Sequence, residues 1–391
     1  VPYSGEADRG DTLKQSRKVK KVSEVEMVIS DEHADVTRFD SPEQQAELAQ
    51  WYQDCAAVGL TPLWMTREGL MPTVPQPAAI PHVWRWADLS RLAERSATLV
   101  PVGRGGERRA IGLGNPGLGG EPYATATLWA AIQYLGPRES APEHRHSQSA
   151  FRFVLEGEGV WTVVEGDSVA MRRGDLLLTP SWHFHGHRNF SDVPMAWLDG
   201  LDIPFVAQND QAFFEFGSEA VSDDPGPERS QGERLWGAPG LSPVSEIRRR
   251  SSSPLMAYRW VYTDAALAAQ LELEREGRPG VVSPGHGAVR FTNPTTGGDA
   301  LSTIRLEMHR LAPGAATQRT RTSASSVWQN FAGSGVVTMN GQTRDLEHGD
   351  VVAVPSWTEF EVRADELLDL FMFSDAPIFE KINLLRTEVL G

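Results

Sequence analysis

The segment RGDLLLTPSWHFH at residues 173 to 185 returns as HGDVVAVPSWTEF at 348 to 360, so the chain must be built from two like units. Two further pairs keep the same order: NPGLGG at 115 to 120 with NPTTGG at 293 to 298, and VLEGEG at 154 to 159 with NFAGSG at 330 to 335. The duplicated stretch covers about ninety residues per copy. From Tyr123 onward, β-branched and aromatic runs are separated by glycine turns, which is the pattern of many short strands. Two tandem all-β barrels of the jelly-roll, or double-stranded β-helix, type are expected.

The two copies differ chemically. His144 and His146 lie in EHRHSQSAFRF, and His185 lies in GDLLLTPSWHFHGH. Side chains two apart on a strand point the same way, so the first two can address one metal ion while His185 reaches it from a neighbouring strand. Three imidazoles leave about half of an octahedral shell open, which is the mark of a site for chemistry rather than structure. Aligning Gly157 with Gly333 puts Thr320 and Thr322 opposite His144 and His146, and the matched segments 173 to 185 and 348 to 360 put Phe360 opposite His185. The first barrel is therefore expected to hold metal and the second to be a metal-free wall or interface. His309 falls on an earlier strand, opposite Gln133, and reads as a structural histidine.

The positions four and five residues beyond His146 are Ala150 and Phe151, so no carboxylate joins the ligand set. Neutral imidazoles leave a divalent ion with its full charge, which suits a chelating carboxylate beside an ionisable phenol. Redox-active iron could then pass electron density from the ring to dioxygen, which zinc cannot do. Arg152, six residues beyond His146, is expected on the same strand face, and Arg104, Arg108 and Arg109 lie in the loop GRGGERR. Their functional reading is a guanidinium clamp on a substrate carboxylate; the alternative is a salt bridge at the barrel mouth. Arg109 receives no role. Spacing from Gly174 through Pro180 selects His185 over His183 as ligand, leaving His183 at the rim and His187 placed to exchange a proton with a bound phenol. Asp199, in AWLDGLDIP, could orient a pocket histidine or serve as an ordinary turn or salt-bridge residue.

The remainder frames these barrels. The net charge of −15 excludes nucleic acid as the main partner, and no apolar run is long enough to span a bilayer. One cysteine, Cys55, rules out an internal disulfide and fits a cytoplasmic protein; it reads as a small packed hydrophobe. Residues 1–40 carry the basic run KQSRKVKK and read as a mobile arm. Residues 41–97 form a helical and extended cover, with Ser41 and Pro42 opening one helix, Gly59 closing it, and a second helix from Ala87 to about Ser96. The metal-binding barrel spans 98–205, a connecting segment 206–285, the metal-free barrel 286–376 and a C-terminal helix 377–391. GLGNPG at 112 to 117 matches the dinucleotide fingerprint only formally, because the following proline and glycines break any helix; it reads as a loop, and no nicotinamide or flavin is expected.

Taken together, GRGGERRA, NPGLGG, APEHRHSQSAFRFVLEGEG, SWHFHGH and LDGLDIPF resemble the gentisate 1,2-dioxygenase family, the ring-cleaving bicupins that include salicylate and 1-hydroxy-2-naphthoate dioxygenases. The resemblance runs from about residue 42 to the end and implies one Fe(II) per chain, in the N-terminal cupin. It implies O2-dependent cleavage of gentisate between the carboxyl-bearing and adjacent hydroxyl-bearing carbons, giving maleylpyruvate. His144, His146 and His185 would hold iron. Arg108, Arg152 and His187 would bind and polarise the substrate and the oxygen adduct, and Trp129 and Ala131 would lie near an aromatic pocket or in the core. The family also implies a homotetramer. The alternatives are a salicylate or hydroxynaphthoate dioxygenase and a ligand-binding bicupin without turnover; a metal-dependent sugar isomerase is disfavoured by the missing glutamate.

Overall fold

The computed structural model describes residues 41–65, 71–101, 109–217, 225–246 and 248–391. The expected arm over 1–40, together with Arg104 and Arg108, lies outside them. The helix Pro42–Ala57 starts as its sequence dictates: Ser41 Oγ accepts the Gln44 backbone N–H at 3.2 Å, and Gly59, at φ +75°, follows its end. It belongs to a compact unit within residues 1–73, in which Trp51 and Trp64 stack with ring centroids 6.1 Å apart.

Residues 74–391 form the second unit, with four sheets. In the first barrel a six-stranded sheet runs edge to edge through Ala110–Gly112, Trp129–Leu135, Met195–Leu201, Ala150–Glu156, Leu176–Thr179 and Ala257–Tyr258. Its partner sheet runs through Asp167–Arg172, Glu158–Val164, His185–Asn189, Ser140–His146 and Phe214–Phe216. The second barrel repeats the plan. One sheet holds His286–Arg290, Arg305–Leu311, Leu368–Ser374, Ser326–Ala332, Val351–Val354 and His82–Trp84; the other holds Gln342–Leu346, Gly335–Met339, Phe360–Ala364, Thr320–Thr322 and Thr387–Val389.

The central strands of each six-stranded sheet are buried on both faces, and their sequence reflects this. In Ala150–Glu156 the side chains Phe151 and Phe153 point toward the other barrel, leaving Arg152 and Val154 for the barrel's own interior. Phe153 stacks on Phe371 at 4.1 Å and Phe151 meets Phe373 at 4.8 Å, forming an aromatic layer between the barrels. Two aspartates cross this layer reciprocally. Asp202 accepts the Ser149 N–H of its own barrel and the Thr303 hydroxyl of the other, while Asp375 accepts the Ser325 N–H of its own barrel and the Thr127 hydroxyl of the first.

The repeat is longer than the matched motifs indicate, because it includes a strand and a helix in front of each barrel. His82–Trp84 is followed by Arg85 and the helix Trp86–Leu99; Ala257–Tyr258 is followed by Arg259 and the helix Trp260–Arg275. Asp350 accepts from Arg85 at 2.6 Å and from the Trp86 N–H at 2.9 Å, and Asp175 accepts from Arg259 and the Trp260 N–H at the same two distances. The leading strands are exchanged: His82–Trp84 pairs with Val351–Val354 of the second barrel, and Ala257–Tyr258 pairs with Leu176–Thr179 of the first. Each incoming tryptophan lies on a glycine that tolerates no side chain. A Cβ on Gly174 would lie 2.7 Å from Trp260, and one on Gly349 would lie 2.2 Å from Trp86.

Three expectations need correction. The C-terminal helix covers only Ala376–Lys381; Asn383, at φ +59°, turns the chain, and Thr387–Val389 continues as an edge strand paired with Thr320–Thr322. The second covering helix is longer than expected, at Trp86–Leu99. Arg152 does not continue the strand of His146, because the chain turns at 147–149 and enters the opposite sheet at Ala150. GLGNPG leaves the strand Ala110–Gly112 as a loop and enters the short 3-10 turn Pro116–Leu118, capped by Asn115, with no α-helix following.

Candidate metal centre

The strand Ser140–His146 carries His144 and His146, separated by one residue, and the adjacent antiparallel strand places His185 directly opposite His144. Their ligand-capable nitrogens all lie within 4.8 Å of one another, the three residues are buried, and no other such cluster occurs among the described residues. Each Nδ1 is bonded to a backbone carbonyl: His144 to Pro142 at 3.0 Å, His146 to Gln148 at 2.9 Å and His185 to His183 at 3.0 Å. A carbonyl can only accept, so each Nδ1 holds the proton and each Nε2 presents a lone pair. His185 Nε2 is buried with no hydrogen-bond partner, an arrangement costly for a protein alone and suited to metal ligation. Burial, then the nearby Arg152 and the other ligand rings, hold His185 far below its ordinary pKa, and therefore neutral. The residues present fit a divalent metal.

Beside the triad lies a cavity of about 350 Å³, lined by Trp129, Gln133, Gln148, Arg152, His187 and Phe214 among others. This is within the size range of small-ligand sites. His187 is opposite Thr162 in the sheet, and its Nδ1 lies 2.9 Å from the Thr162 hydroxyl. Burial and the neighbouring Arg152 also push His187 far below its ordinary pKa. Arg152 is 4% exposed, yet it borders the cavity. One of its terminal nitrogens donates to the Thr179 hydroxyl, and its Nε lies 3.5 Å from Asp199 Oδ1 without making a hydrogen bond. Asp199 in turn accepts from Trp197 Nε1 at 3.0 Å. Burial pushes Asp199 up to about 6, against the pull of Arg152. Asp199 thus orients an arginine and contacts no histidine through a hydrogen bond; the histidine is held by Thr162 instead.

The other candidates separate. Trp129 lines the cavity, and Ala131 lies on the same strand face, fully buried opposite Asp199. His183 precedes the strand that begins at His185 and bonds through Nδ1 to the Ser181 carbonyl, outside the triad. Arg109 is ion-paired with Glu139 and donates to the Val100 carbonyl at 3.2 Å, a structural role. His309 is held structurally, with its Nδ1 3.0 Å from His286 Nε2 and its Nε2 3.5 Å from Glu307 Oε2. Gln133, Gln148 and Phe214 were missed. Alternation from Trp129 through Ala131 points to Gln133, whereas the three-residue strand carrying Phe214 has no periodic signal.

In the second barrel the matching positions are filled. Thr320 pairs with Phe360 where His144 pairs with His185, and Trp328 pairs with Met372 where Arg152 pairs with Asp199. Trp328, Phe360 and Met372 join one buried apolar cluster with Leu311 and Val362.

The Cupin domain family profile matches residues 131–201. A gentisate 1,2-dioxygenase from Streptomyces sp is 60% identical over 351 residues, 89% of this chain and 98% of that protein. The crystal structure of a salicylate 1,2-dioxygenase from Pseudoaminobacter salicylatoxidans, described as adducts with gentisate, is 56% identical with a TM-score of 0.87, covering 91% of this chain and 96% of that one. A 1-hydroxy-2-naphthoate 1,2-dioxygenase from Nocardioides sp. (strain KP7) is 33% identical, covering 88% of each chain.

Proposed function

Because the chain belongs to the gentisate 1,2-dioxygenase family, we propose that it is an Fe(II)- and O2-dependent dioxygenase that cleaves gentisate between its carboxyl-bearing and adjacent hydroxyl-bearing carbons, yielding maleylpyruvate. The observation that carries this reading is the buried three-histidine face, with all Nε2 lone pairs presented beside a cavity that Arg152 and His187 also line. His144, His146 and His185 would hold the iron, which would supply the electron exchange with O2 that no side chain can perform.

The surrounding residues bind the ring. Arg152, steadied by Thr179 and Asp199, takes the substrate carboxylate, and Trp129 walls the aromatic face. His187, bordering the same cavity, is placed to take the phenolic proton of a bound ring. Arg108 joins Arg152 at the carboxylate, and Arg104 lies nearby; their support is the family resemblance. The active form is a homotetramer in the cytoplasm, as the same resemblance implies; among the described residues no helix is long and apolar enough to cross a membrane.

The test is oxygen uptake and ring-cleavage product from iron-reconstituted protein given gentisate, salicylate and 1-hydroxy-2-naphthoate in parallel. Uptake of one O2 per gentisate, with little for the other rings, is expected. Comparable turnover of salicylate would keep the reaction class and replace the substrate, while no uptake by iron-loaded protein would favour a ligand-binding bicupin.

A further inference from the structure

Behind the cavity, His187 lies against two buried residues that take no part in metal ligation. Thr162, on Glu158–Val164, and Met171, on the neighbouring strand Asp167–Arg172, are closed off from solvent, and His187 is 1% exposed. The Thr162 hydroxyl lies 2.9 Å from His187 Nδ1 and 3.1 Å from Met171 Sδ. If both contacts are hydrogen bonds, their proton bookkeeping has one solution. A thioether sulfur carries no hydrogen and can only accept, whereas a threonine hydroxyl has one hydrogen and two lone pairs. If that hydrogen points at Met171, only lone pairs face the imidazole, and Nδ1 must donate. Nε2 is then the nitrogen left for the cavity that His187 lines.

We infer that Thr162 is a positioning residue: its hydroxyl, with its proton directed at Met171 Sδ, accepts from His187 Nδ1–H and so turns Nε2 toward the substrate as the ring's proton-accepting atom. The consequence rests on the ring-cleavage reading above, in which His187 takes a proton from a bound phenol. A ring held the other way, with hydrogen on Nε2, would present a donor and could not take that proton. Threonine suits this role because its β-branch restricts χ1 and so limits where the hydroxyl can lie. Met171 sets the direction of the hydrogen, and Thr162 passes that direction to the histidine.

The experiment compares Thr162→Val, Thr162→Ser and Met171→Leu with the native protein. Thr162→Val keeps the shape and removes the acceptor; kcat on the ring substrate should fall about 100-fold with KM within threefold, the scale of a lost general base. Thr162→Ser should restore kcat to within a few-fold. Met171→Leu frees the hydroxyl to donate or accept, and should lower kcat by an intermediate factor. The second readout does not need turnover. Nitrogen-15 spectra of histidine-labelled protein, with diamagnetic zinc in place of iron, should show His187 protonated at Nδ1 in the native chain and shifted toward Nε2–H in Thr162→Val. Native His187 protonated at Nε2, or a Thr162→Val kcat within twofold of native, would overturn the inference. Failure of the ring-cleavage reading would appear separately, as native protein without turnover but with the Nδ1–H ring intact.

Discussion

The same pair of cross-strand positions is occupied by Arg152 and Asp199 in one barrel and by Trp328 and Met372 in the other. The second barrel took the stable solution. Its Trp328–Met372 pair sits in an apolar cluster, where dispersion and water exclusion act together, and its buried ion pair, Arg310 with Asp369, lies outside that cluster. The first barrel instead keeps a cavity, an arginine 4% exposed and a carboxylate 5% exposed, each of which burial penalises. The difference separates two tasks that a single barrel would have to reconcile. The polar barrel is clamped through its six-stranded sheet onto a neighbour with a well-packed core, and the aromatic layer of Phe151, Phe153, Phe371 and Phe373 joins the two.

The largest expected effect concerns metal. Iron titration should saturate at one ion per chain, and His185→Ala should lower both bound iron and turnover by more than 100-fold, while Phe360→Ala should leave iron content unchanged. A second ion per chain, measured by elemental analysis, would remove the chemical contrast between the barrels. Next comes the pair exchange. Arg152→Met with Asp199→Leu, which gives the first barrel an apolar pair, should abolish turnover while leaving stability unchanged or raising it by about 1–4 kcal/mol, as for other buried ion pairs replaced by apolar groups. Arg152→Met alone should destabilise by about 3–5 kcal/mol, because Asp199 would stay buried and uncompensated. Urea midpoints at constant slope would measure both.

The smallest effect tests what the barrels share. Burial pushes Asp375 up to about 7 and Asp202 up to about 6, each only partly offset by the hydrogen bonds it accepts. Their ordinary value is 3.8, so between that pH and the raised values the native protein holds protons that the unfolded chain has released. Their contribution to stability is greatest in acid and declines as pH rises toward 7. Asp375→Asn should flatten that decline and make the variant relatively more stable at pH 8 than at pH 5, an effect of about 1–2 kcal/mol after relaxation around the site. An unchanged slope in denaturation at several pH values would mean that the carboxylate is already ionised in the fold.

Much of this was legible in the chain because the controlling signals are local. The His144–His146 spacing and the strand period are enough to place two ligands together, and the repeated glycine turns locate His185. Arg152 reached the cavity although the strand was misread, because the chain entered the opposite sheet with that side chain still facing inward. The exchanged strands were not legible, since segments of two or three residues carry no periodicity. Their only trace is the Arg-Trp dipeptide at 85–86 and 259–260, whose meaning depends on Asp350 and Asp175 far away in the chain. The role of Asp199 also depends on tertiary partners, as Trp197 and Arg152 both approach its Oδ1.

The exchange of leading strands imposes an order on biosynthesis. A ribosome adding about 5–20 residues per second completes Leu176–Thr179 several seconds before Ala257–Tyr258, so the first barrel emerges with one sheet edge open. His82 waits longer, because its partner Ala353 is made near the end of translation. Closing so long a loop adds little to equilibrium stability but slows folding, and each waiting edge is a template for pairing with another nascent chain. Dividing the chain between the barrels would therefore leave each product with a sheet lacking its edge strand.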